Sequence, residues 1–169
     1  ALQEAYDAGQ RIFGESKVQE MTLKHEQLPA DIEWHMIGHL QTNKVKYIAG
    51  KTALIHSLDS LRLAAEIEKQ AAKHGITMDV LVEINSGSEE NKSGLAPSEV
   101  ADFCQTLAAY PHIRLRGFMT MAPKCEKKEE YLKYFQQTYR QVLDIWSKKM
   151  HNIGKPIISM GISDSFEEA

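Results

Sequence analysis

WHMIGHLQTNK, residues 34–44, runs apolar up to a glycine and polar beyond it. Trp34, Met36 and Ile37 are residues of a buried strand. Gly38 lets the backbone turn, and His39, Gln41 and Asn43 then present polar tips as a helix opens. A strand that carries functional groups at its C-terminal end and turns straight into a helix is the repeating unit of α/β folds. The same transition recurs along the chain.

Six short segments rich in β-branched and apolar residues predict strands at 11–14, 33–37, 53–56, 78–84, 114–119 and 156–160. Helical patterns fall between them. Leu61, Ala64, Ala65, Ala71 and Ala72 form one apolar stripe, with Gly75 as its C-cap. Val100, Phe103, Cys104, Leu107 and Ala108 form a second, introduced by Pro97 in the first turn. Leu132, Phe135, Tyr139, Val142, Trp146 and Met150 form a third. All three read as core-facing helix faces.

Alternating strands and helices argue for a parallel sheet, either open or closed into a barrel. No glycine-rich phosphate loop follows a strand, which weakens the dinucleotide-binding reading. Every strand instead ends in polar residues: Glu15 and Ser16, His39, Asp59 and Ser60, Asn85 and Ser86, Thr120, Ser163 and Asp164. Such a ring is what a TIM-like (β/α)8 barrel uses for its active face. Asp59, Ser60 and Asp164 serve equally well as helix N-caps. About six βα units are present, two short of the usual barrel. The chain opens inside a helix without an initiator methionine, and we therefore expect it to be incomplete at both ends.

With 169 residues and 43% hydrophobic content, the chain supports one core and one domain, 1–169. Twenty basic against 23 acidic residues, a net charge of −3, exert no general pull toward nucleic acid or an anionic membrane. No apolar run reaches the ~18 residues a bilayer span needs. Cys104 falls on an apolar helix face and Cys125 in a charged loop, neither in a metal or disulfide pattern. That usage suits a reducing, cytoplasmic setting.

Few segments carry chemistry on their own. In 159–168 (SMGISDSFEE) a strand end, a glycine and the Asp164/Glu167 capping-box spacing predict a helix start, whose free amides and hydroxyls suit phosphate. His35 and His39 lie four apart, but on a strand that spacing does not make a metal grip, and no metal is expected. The reading has His39 lining a pocket and His35 packing outward. The polar loop 86–94 reads as a rim or lid, and 124–130 (KCEKKEE) as a solvated helix start.

Together these stretches resemble the pyridoxal phosphate homeostasis proteins, whose barrel is of the alanine racemase N-terminal type. The resemblance rests on FGESKVQE (13–20), WHMIGHLQTNK (34–44), HSLDS (56–60), INSGSEENKSGL (84–95), LRGFMTMAP (115–123) and SMGISDSFEEA (159–169), in the family's order and spacing. It implies a barrel that binds pyridoxal 5'-phosphate, delivers it to client enzymes and influences amino-acid and keto-acid balance. It also implies a monomer without robust catalysis. Ser163 matches a phosphate-contacting serine, with Met160 and Gly161 shaping that wall. Gly38 and His39 match strand-end pocket residues, and Met119 packs near the cofactor ring. Ser16 stands where the family usually has asparagine, a shorter side chain without amide donors.

The family's Schiff-base lysine, in a motif like VSKTKP on its first strand, has no counterpart among these residues. Neither has its final turn and Arg-Ile-Gly strand. An alternative is a pyridoxal-phosphate-dependent racemase-like enzyme, although nothing here supplies the second domain such an enzyme brings. A metal-dependent barrel hydrolase using His35, His39 and Asp59 is a further alternative.

Overall fold

In the computed structural model, residues 1–89, 92–149 and 154–169 are described. Six parallel strands pair in strict chain order: β1 (Ile12–Glu15), β2 (Glu33–Met36), β3 (Leu54–Leu58), β4 (Met78–Ile84), β5 (Ile113–Thr120) and β6 (Ile157–Ser159). Each expected strand is present within a residue or two of its expected bounds. Helix α1 (Leu2–Asp7) precedes the sheet, and α2 (Val18–Gln27), α3 (Val45–Ile48), α4 (Leu61–His74), α5 (Val100–Leu107) and α6 (Lys128–Lys149) make the crossovers. Short 3-10 turns lead into α3 and α5, the second opening at Pro97.

The sheet curls. His56 of β3 meets Ser159 of β6 at 2.8 Å, although those strands would stand roughly 14 Å apart in a flat sheet with ~4.8 Å between neighbours. Three strand steps collapse to a hydrogen bond only if the sheet wraps into a half-barrel. The fold is therefore the TIM-like α/β architecture with six βα units.

Alternation along the strands sorts residues between two faces. Trp34 and Met36 of β2, Val80 and Val82 of β4, and Leu115 and Phe118 of β5 point to the convex face and pack under the helices. Phe13 lies against Trp34, with ring centroids 6.0 Å apart, and Phe118 meets Trp146 of α6 edge-on. The concave face holds a small apolar patch of Leu54, Leu81 and Met119 beside polar groups that include His35, His56 and Glu83. A β-bulge in β5 adds Arg116 opposite the Val80–Leu81 step.

Two helix stripes are rotated from their expected positions. In α4, Leu63, Ala64, Ile67, Gln70 and Ala71 are buried, whereas Leu61, Ala65 and Ala72 are exposed. Burying Leu63 and Ile67 removes more apolar area from water than burying alanines. In α6 the seam is Tyr131, Phe135, Thr138, Val142, Ile145 and Trp146, leaving Leu132 and Tyr139 outside. Thr138 occupies the turn where the apolar pattern pointed to Tyr139, and Met150 lies outside the described residues. The α5 stripe packs as expected except for Ala108, which is exposed beyond its last turn.

Caps follow local chemistry. Ser60 Oγ accepts the Leu63 N–H at the start of α4, and Gly75 closes that helix in the left-handed region at φ 63°. No helix begins at Asp164, contrary to expectation. Residues 163–168 form turns in which Ser165 Oγ accepts the Ile162 N–H, while Glu167 pairs with Lys128 instead of returning to the backbone. Burial pushes the Cys104 thiol up to about 12, so it sits in the core as a small apolar group.

Candidate functional site

The C-terminal ends of the strands surround a cavity of about 370 Å³ in the mouth of the half-barrel. Its apolar wall comes from Ile37, Met119, Met121, Met160 and Ile162, and its polar wall from His56, Glu83, Ser93 and Ser159. Ser16, Gly38 and His39 form the rim above β1 and β2. Six of the seven residues singled out from the sequence thus line one cavity: Ser16, Gly38, His39, Met119, Met160 and Gly161. Ser163, the seventh, lies in an adjoining cleft with Lys128 and Phe166. A broader groove of about 620 Å³ runs outside the barrel past His39, Asn43, Asp59 and Arg62. It gathers helix-start residues and shares only His39 with the cavity.

Two glycines shape the cavity wall, for different reasons. A Cβ on Gly38 would stand 2.2 Å from the Ser16 carbonyl oxygen, so the chain after β2 touches the chain after β1. Close approach, and not a left-handed turn, is what requires glycine there. Gly161 does need the left-handed region, with φ at 86°, and it turns the chain from β6 across the cavity.

His35 does not pack outward. It shares a face with Gly14 of β1 and Leu54 of β3, inside the half-barrel. Its Nδ1 lies 3.0 Å from His56 Nε2, and His56 Nδ1 lies 2.8 Å from Ser159 Oγ. With both rings neutral, one proton occupies each contact, and the chain can run coherently in either direction. Desolvation, reinforced by the neighbouring His35, pushes His56 down to about 4, and desolvation lowers His35 as well. His39 takes no part in this chain and faces Asp59, with 3.7 Å between Nδ1 and Oδ2.

Glu83 is the group that sequence reasoning missed most completely. It is only 5% exposed, and Oε1 accepts the Ser93 hydroxyl at 2.7 Å, but Oε2 is buried without a hydrogen-bond partner. Burial, more than any neighbour, holds its carboxyl above the usual range. Ser93 reaches it because the loop after β4 folds back: Leu95 donates to the Glu83 carbonyl at 2.8 Å and Asn85 donates to the Leu95 carbonyl at 2.9 Å. The expected rim loop is thus part of the site, with Glu90 and Asn91 outside the described residues. A signal existed, since Glu83 is the lone charge in the apolar run VLVEI, residues 80–84. His56 and Ser159 likewise stood within matched stretches without being singled out. Among the described residues no group of three His, Cys, Asp or Glu side chains is arranged to hold a metal ion.

A half-barrel with its polar cavity at the strand C-termini defines the class: an α/β barrel protein with a candidate ligand site on its C-terminal face. Comparison with known proteins narrows it. The family model of the alanine racemase N-terminal domain matches residues 1–169. A pyridoxal phosphate homeostasis protein of Aquifex aeolicus is 43% identical over 169 residues, covering 99% of this chain and 73% of that protein. The structure of PipY from Synechococcus elongatus without pyridoxal phosphate superposes with a TM-score of 0.92 at 29% identity, over 99% of this chain and 79% of that one. PipY with pyridoxal phosphate bound gives a TM-score of 0.88 at the same identity, over 99% and 78%. An alanine racemase of Clostridium difficile shares the fold alone, with a TM-score of 0.76 at 18% identity over 93% of this chain and 41% of that one. The chain belongs to the alanine racemase N-terminal domain family, among its pyridoxal phosphate homeostasis proteins.

Proposed function

We propose that residues 1–169 form one domain that binds pyridoxal 5'-phosphate in the concave cavity and holds it for delivery to client enzymes. Its influence on amino-acid and keto-acid balance follows from that exchange and not from turnover of its own. The observation that carries this reading is the cavity itself. Its volume, about 370 Å³, falls in the range of small-molecule sites, ~300–1,000 Å³, and it is divided as an amphipathic ligand requires.

The residues present fit the cofactor. Met119, Met121, Met160 and Ile162 would give an aromatic ring apolar contacts, and thioether sulfur interacts favourably with aromatic rings. Ser159, tied to His56, presents a hydroxyl at the floor. Gly161 lets the backbone approach closely at the side where Ser163 begins the next turn. When bound, the cofactor would supply a reactive aldehyde and a phosphate anchor. The His35–His56–Ser159 chain would hold a proton at a fixed place on the cavity floor, and the apolar wall would exclude water from the ring.

Relatives named for cofactor homeostasis and a PipY structure with pyridoxal phosphate bound support the reading. The racemase alternative has only a shared fold behind it. No helix among the described residues is long and apolar enough to cross a membrane. We place the protein in the cytoplasm as a monomer, without nucleic-acid or membrane partners.

NMR chemical-shift mapping with pyridoxal 5'-phosphate tests the site. Shifts should centre on the amides of His56, Glu83, Met119, Ser159 and Gly161. Shifts confined to the outer groove around Asn43 and Arg62, or scattered over surface lysines, would defeat the proposal.

A further inference from the structure

We propose that Glu83 is the counter-ion for a primary ammonium group on a ligand in the concave cavity. The proposal rests on the cofactor-site reading above and assigns a chemistry to the end of the cavity which that reading leaves unused. Three observations carry it.

First, Glu83 is a buried carboxylate with one oxygen satisfied by Ser93 and the other without a partner. A charged acceptor left unpaired in a buried site is costly, and a ligand donor restores what burial removed. Second, among the described residues lining the cavity, Glu83 is the single Asp, Glu, Lys or Arg. A cation entering there meets the negative charge of Glu83. Third, strand register aligns Glu83 with Met119, and Met119 with Ser159. Acid, thioether and hydroxyl therefore form a row across three adjacent strands that curl around the cavity. That row suits a ligand with its anionic end toward the Ser159–Gly161 side and its ammonium at Glu83.

Two sources could bring the ammonium: an aminated form of the cofactor, or a free amino acid bound beside it. Pyridoxamine 5'-phosphate and pyridoxine 5'-phosphate differ by an ammonium against a hydroxyl at one carbon, so the ratio of their dissociation constants isolates the contact. Calorimetry should give a preference for pyridoxamine 5'-phosphate of roughly tenfold, as for a hydrogen bond between charged groups. In Glu83→Gln the ratio should fall close to one. Should the native ratio already be close to one, L-alanine is titrated into protein loaded with pyridoxine 5'-phosphate. Binding there that Glu83→Gln abolishes assigns the ammonium to a free amino acid.

A native ratio near one together with no alanine binding overturns the proposal, and this needs no variant to fold. If pyridoxal 5'-phosphate and pyridoxine 5'-phosphate still bind in that case, the cofactor site survives and only the role of Glu83 fails. If none of the phosphorylated compounds binds, the cofactor site fails as well.

Discussion

Two carboxylates four residues apart on β4, both on the concave face, meet opposite fates. Asp79, near the bottom of the half-barrel, accepts from Arg114 Nε at 2.6 Å, Arg114 Nη2 at 3.0 Å and Arg116 Nη1 at 3.0 Å. Glu83, at the mouth, has a single serine and an orphaned oxygen. The strand is the same, the face is the same, and the acidic chemistry is the same. What differs is which neighbours the sheet brings alongside. Strand register sets Arg114 opposite Asp79 and the bulge in β5 adds Arg116 beside it, which closes the bottom as finished structure. The mouth is left with polar capacity that the protein does not itself consume, and unconsumed capacity is what a ligand site requires.

The sharpest way to stress this contrast is acid. His56 is held neutral, so between its unfolded value near 6.5 and its folded value of about 4 the unfolded chain binds more protons. Stability should therefore fall as pH drops from about 6.5 toward 4, by on the order of 3 kcal/mol from this group. Glu83 opposes it, since its raised value makes the folded state the better proton acceptor just above the ordinary carboxylate range. Urea denaturation across that window reads the balance, and His56→Asn should flatten the profile. An unchanged profile in that variant would mean that His56 is not held neutral.

Next in size is the bottom of the half-barrel. Asp79→Asn removes the charge that faces two arginines and should cost about 1–2 kcal/mol, moderated because Arg114 is half exposed. Ligand shifts at the mouth should not change. Should this variant disturb the cavity amides instead, the two ends of β4 are not independent.

Glu83→Gln should move stability the other way. Replacing a buried, half-satisfied carboxylate by a neutral amide is expected to stabilise the empty protein by about 1 kcal/mol while weakening any ammonium ligand. A loss of stability would show that the orphaned oxygen has a partner in solution. The smallest effect is expected at the surface. Glu167→Gln breaks the exposed pair with Lys128 and should leave the Tm unchanged within error. A measurable drop would mark the last turn as more tightly docked than its exposure suggests.

Legibility followed the same divide. Strand positions were readable because β-branched and apolar runs bounded by glycine and polar residues are a local signal. Helix faces were only half readable: where two adjacent residues both satisfy the 3.6 period, as Tyr131 and Leu132 do, the seam is decided by the neighbouring element. Six of the residues singled out in the sequence line one cavity because strand ends in a parallel half-barrel all open on the same side. His35 was misread because alternation tells which residues share a face but not which face turns inward.

The sequence by itself determined the βα repeat, the parallel order of strands and the side on which polar groups gather. Short connections, turn residues and the periods 2 and 3.6 dictate these within a few residues of chain. Only the tertiary structure decided that the sheet curls enough for His56 to reach Ser159 across two intervening strands, that a loop ten residues on delivers Ser93 to Glu83, and that Glu83 is left with an oxygen to spare. Those outcomes depend on curvature and register summed over the whole sheet, which no local stretch encodes.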